Sequence, residues 1–72
     1  MHLTESHRKL LAFLSENPSS DILDAAEGAH LARSTAAKFL SDFALAGLAH
    51  RPRRGRYSIT DAGRAHLQEL AN

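Results

Sequence analysis

Seventy-two residues, 43% hydrophobic and 24% charged, amount to one small globular domain rather than a disordered chain, of a size that removes only about 60% of its unfolded surface from water. The chain has no cysteine, which excludes a disulfide framework and a thiolate zinc site, and no apolar run reaches the roughly 20 residues of a membrane span. A formal net charge of +1 conceals an asymmetry: residues 1–30 hold five acids and two bases, residues 31–72 three acids and seven bases.

The opening residues lack the charged-then-apolar pattern of a secretory signal, so the expected location is the cytoplasm. A first helix is expected over about residues 4–17. Thr4 is a good N-cap, because its hydroxyl can accept a free amide of the first turn. Leu3, Leu10, Leu11 and Leu14 share one arc with Phe13 at its edge. Pro18 closes the helix by pushing its predecessor out of the helical region.

A second, shorter helix follows over about 20–29, capped by Ser19 or Ser20, with Asp21 and Asp24 early, where the helix dipole favours negative charge. Ile22, Ala25, Ala26 and Ala29 give it a narrow apolar face that permits close approach of a neighbour. The third helix, about 33–46, buries Ala36, Phe39, Leu40 and Phe43 at helical spacing, and Gly47 suits the left-handed residue that ends it. Its opposite face carries Ser34, Lys38, Ser41 and Leu45, flanked by Arg33 and Ala37. That face is slim and polar, fit to lie close against another surface.

After Gly47 the pattern changes from a period of 3.6 to one of 2. "LAHR" and "RYSI" read as two short strands with Leu48, Tyr57 and Ile59 inward, and "PRRG" between them reads as the turn of a hairpin over about 48–59. A last helix is expected over about 61–71, capped by Thr60, with Gly63, Leu67 and Leu70 inward. The fold class is therefore mainly α with a small β-hairpin: a three-helix core, a two-stranded hairpin and a short C-terminal helix.

Four of the nine Lys and Arg residues (Arg51, Arg53, Arg54 and Arg56) crowd onto that hairpin. Such charges repel one another unless an anion lies nearby; a plain solvated loop is the simpler alternative. Here the order of elements carries a resemblance. "LARSTAAKFLSDFALAGL" is similar to the recognition-helix stretch of winged helix-turn-helix transcription regulators of the MarR and ArsR type, through Leu31, Arg33, Ser34, Thr35, Leu40, Asp42, Gly47 and Leu48. "RPRRGRYSITDAGR" resembles the wing of that family, and "LTESHRKLLAFL" its opening helix. Four positions depart from the pattern: His30 stands where the turn between helices usually has glycine, Ala32 at the usual N-cap serine, Ala36 at a larger aliphatic, Asp61 at a proline.

The resemblance implies double-stranded DNA as partner and a transcription regulator, nucleoid-associated in a prokaryote, as function. The third helix would enter the major groove, with Arg33, Ser34, Thr35, Ala37, Lys38 and Ser41 as candidate readers. Arg51, Arg53, Arg54 and Arg56 would hold phosphates or dip into the minor groove, where the guanidinium fork suits paired oxygens. Leu45, Leu67 and Leu70 are candidate contacts to a second copy in a homodimer. The mechanism calls for no cofactor. The five histidines fall in no H-E-x-x-H pattern, so no metal site is expected, and no motif sets a nucleophile beside a base, so no enzyme is expected either. The alternative reading is a winged-helix module that contacts protein or RNA within a larger assembly.

Overall fold

A turn rather than a helix decides how this chain is tied together. The structure, a computed structural model, describes residues 3–71 and side chains as far as Glu69. Helix α1 spans Glu5–Glu16 and begins as a capping box in which His7 takes the part usually played by Glu or Gln. The Thr4 amide donates to His7 Nδ1 at 3.0 Å, and the Thr4 hydroxyl lies 2.8 Å from the same nitrogen. The His7 ring is buried, stacked 3.8 Å from the Phe39 ring and edge-on to Phe43. Nothing in the apolar spacing marked His7 as a core residue. On the exposed side, the Arg8 guanidinium pairs with Glu5 and holds its carboxyl below the usual value.

Asn17 breaks α1 ahead of Pro18, and its backbone and side-chain N–H groups both donate to the Phe13 carbonyl. Ser19 then adopts a left-handed backbone, φ 60°. It is held from both sides: its amide donates to Ser58 Oγ, and its carbonyl accepts from Arg56 Nη1 at 2.8 Å. The chain next forms a two-residue strand, β1, Ser20–Asp21, which sequence periodicity did not reveal. Helix α2, Ile22–Ala29, is capped by Asp21, whose carboxylate accepts the Asp24 amide at 2.7 Å. Neither Ser19 nor Ser20 supplies that cap; Ser20 is buried and donates to the Asn17 carbonyl instead.

His30 ends α2 at φ 58°, ψ 45°, the left-handed conformation in which glycine is more usual. Helix α3, Arg33–Ala46, starts from Ala32 with no side-chain cap and ends on Gly47 at φ 79°. Ala36, Leu40 and Phe43 are fully buried, whereas Phe39 is half-buried beneath His7.

Strands β2, Ala49–Arg53, and β3, Arg56–Ile59, form the expected hairpin. The pairing jumps from His50↔Ser58 to Arg53↔Arg56, so one extra residue of β2 bulges opposite Tyr57. Pro52 lies in the bulge, where its missing N–H leaves no gap in the ladder. The turn is therefore only Arg54–Gly55, tighter than the expected "PRRG". Strand β1 adds to the far edge of β3, giving the order β1-β3-β2, so the sheet is three-stranded rather than two-stranded. Helix α4, Asp61–Ala71, is capped as expected: Thr60 Oγ1 accepts the Gly63 amide and donates to the Gly47 carbonyl.

Leu10, Leu11 and Leu14 of α1, Ala25 and Ala29 of α2, and Leu40 and Phe43 of α3 meet Leu48, Ala49, Tyr57 and Ile59 of the hairpin in one core. Leu67 packs half-buried against this core. The Leu70 side chain lies outside the described residues. Leu45 is 85% exposed and remains available. Among the described residues, no helix is long and apolar enough to cross a membrane.

Candidate nucleic-acid interface

A helix advances about 100° per residue, so Arg33, Ser34, Ala37, Lys38 and Ser41 fall within one outward arc of α3. Ala44 and Leu45 complete the arc, and the buried residues Ala36, Leu40 and Phe43 lie away from it. Arg33, Ser34, Lys38, Ser41, Ala44 and Leu45 are exposed, and Ala37 is half-buried. Thr35 sits off this arc, half-buried on the flank that carries Phe39 and Asp42. All seven outward residues are as small as serine or apolar, or carry a positive charge; none is acidic. Asp42 borders the arc and draws the Lys38 ammonium to 3.5 Å, with that ammonium 5.9 Å from the Phe39 ring centre.

The hairpin lies alongside this surface. Ser41, Ala44 and Leu45 share one depression with Arg51 and Tyr57. Nearer the start of α3, Arg33 shares another with Asp21, Ile22, Leu23 and the turn residue Gly55. Arg51 and the hairpin tip therefore border the outward face of α3 at its two ends. Among the described residues the ion pairs are Arg8–Glu5, Lys38–Asp42 and His66–Glu69. Arg33, Arg51, Arg53 and Arg54 take part in none of them and make no side-chain hydrogen bond with another described residue. All four are exposed.

Arg56 is different. It faces the depression bounded by Phe13, Glu16, Asp24 and Glu27, and its guanidinium is bonded to the Ser19 carbonyl. The four arginines of the hairpin are thus divided, with three unpaired and one holding a strained turn on the acidic side. This division is not legible in the sequence, because it depends on β1 bringing Ser19 to the edge of β3. The four described histidines are dispersed among a cap, a turn, a strand and an ion pair, His2 lying outside the described residues, and among the described residues no three metal-ligating side chains converge.

The acid–base asymmetry of the sequence is spatial as well. Glu16, Asp24 and Glu27 border the Arg56 depression, and the unpaired Arg33 and Arg51 border the outward face of α3. A surface that combines unpaired guanidinium groups with small side chains on an exposed helix face can approach a polyanion closely. Arg33, Arg51, Arg53 and Arg54 have no internal ion pair to break there; only Lys38 would have to leave Asp42.

By sequence, neither a family model nor a curated relative matches this chain. Solved structures do match. A MarR family transcriptional regulator from Silicibacter pomeroyi shares 28% identity at a TM-score of 0.84, over 96% of this chain and 52% of that one. Ligand-free NadR shares 25% identity at a TM-score of 0.83, over 96% and 52%. BpsR of Bordetella bronchiseptica, whose DNA binding is regulated by 6-hydroxynicotinic acid, superposes at a TM-score of 0.86 over 96% and 53%; at 18% identity it supports the fold alone. The chain is a winged helix-turn-helix domain of MarR-like fold, spanning about half the length of the regulators it matches.

Proposed function

We propose that this domain binds double-stranded DNA and serves as the reading unit of a transcription regulator. One observation carries the reading: Arg33, Arg51, Arg53 and Arg54 are exposed cations without an internal partner among the described residues, and Arg33 and Arg51 border the slim outward face of α3. In this reading α3 enters the major groove, and Arg33, Ser34, Ala37, Lys38 and Ser41 approach base edges. Arg51, Arg53 and Arg54 follow the phosphate backbone from the hairpin. Thr35, off the outward arc, contributes through the start of the helix, and Arg56 through the posture of the hairpin. Leu45 is the residue positioned to meet a second copy on adjacent DNA. The chemistry is non-covalent.

Selection of duplexes from a random pool, followed by affinity measurements on variants, tests the division of labour. Arg53→Ala with Arg54→Ala weakens all duplexes alike, because phosphate contacts carry no sequence information. Lys38→Ala changes the ranking of selected sequences. If the arginine changes leave affinity for every duplex untouched, the hairpin meets a protein or RNA partner and the assignment to DNA fails.

A further inference from the structure

At the start of the outward face of α3 lies a depression lined by four residues: Ile22, the first residue of α2, and Arg33, Ser34 and Ala37 of α3. Ile22 and Ala37 are half-buried and apolar; Arg33 and Ser34 are exposed and polar. The combination is unusual for a surface meant to grip phosphate. The part of the recess formed by the Ile22 and Ala37 side chains offers no hydrogen bond to a phosphate oxygen or to a polar base edge, and a polar group pressed against it would lose its water uncompensated. Yet Arg33 beside it has no acidic partner among the described residues, so the charge at the edge of the recess favours an anionic ligand.

An occupant must therefore be apolar at its tip and belong to a polyanion. In the major groove of DNA one group meets both conditions, the C5-methyl of a pyrimidine, carried by thymine and by 5-methylcytosine. We infer that this recess receives a pyrimidine C5-methyl group, with Arg33 at its edge donating to the neighbouring guanine. The inference rests on the proposed DNA-binding role and adds to it a rule of specificity: the domain distinguishes thymine from uracil at one position of its site.

The test uses the unaltered protein. In a duplex selected by binding, each thymine is replaced singly by deoxyuridine, which removes the methyl group and nothing else. At one position the affinity falls about fourfold, the worth of one buried methyl group. Placing cytosine opposite guanine at that position weakens binding, and 5-methylcytosine recovers part of the loss; equal binding of cytosine and 5-methylcytosine overturns the inference. Ala37→Ser, which sets a hydroxyl in the recess, reduces the thymine-to-uracil ratio toward one. Salt-sensitive duplex binding with no position sensitive to uracil overturns the inference and leaves the DNA-binding role standing. Failure to bind any duplex at low salt overturns both.

Discussion

His30 and Asp42 show how much one residue can decide. In the left-handed conformation a residue with a Cβ costs about 1–2 kcal/mol, and His30 occupies it at φ 58° while exposed to solvent. His30→Gly therefore stabilises the domain by about 0.5–1 kcal/mol once the greater unfolded-state entropy of glycine is deducted. A rise in the urea midpoint at unchanged slope is the expected reading. That strain was legible in the sequence, because glycine was the residue expected there. Asp42 was legible only as a family match, whereas its pairing with Lys38 needed coordinates. Asp42→Asn releases the Lys38 ammonium and removes a carboxylate from the edge of the proposed interface. Duplex affinity at low salt should rise several-fold while folding stability changes by less than about 1 kcal/mol, as for exposed ion pairs in general. Unchanged affinity would mean that Lys38 does not approach DNA.

At the level of elements, the helices were readable because apolar residues recur with the helical period over eight or more positions. The parts that escaped were local. Strand β1 has two residues, too few for any period, and exists because Ser19 turns the chain so that Ser20 and Asp21 meet Tyr57 and Arg56. The bulge in β2 follows from Pro52, yet its consequence, a turn reduced to Arg54–Gly55, shows only in the pairing register. His7 escaped because a histidine scores as polar, although here it is both a cap and a core ring. Gly63 was read as an inward residue of α4, and the packing supplies the reason. A Cβ on Gly63 would lie 2.1 Å from the Leu48 carbonyl oxygen and 2.7 Å from the Ile59 side chain. Because backbone yields poorly, Gly63→Ala should push α4 off the hairpin and cost about 2–3 kcal/mol. Chemical denaturation reads that loss directly, and a value below about 0.5 kcal/mol would show that α4 docks differently.

For the molecule as a whole, the sequence displayed a basic second half but not its geometry. Folding gathers Glu16, Asp24 and Glu27 around Arg56 and leaves Arg33, Arg51, Arg53 and Arg54 unpaired among the described residues. Three of the four hairpin arginines are thus free to serve a partner, and the fourth serves the fold through Ser19. The salt dependence of duplex binding tests this most directly. If Arg51, Arg53 and Arg54 each neutralise one phosphate, log K falls against log salt with a slope of about −2.7 per domain, and each of these arginines changed to Ala reduces that slope by about 0.9. Arg56→Ala leaves the slope as it was and lowers stability instead. A flat salt response, or a slope that drops with Arg56 and ignores Arg51, Arg53 and Arg54, would contradict the account.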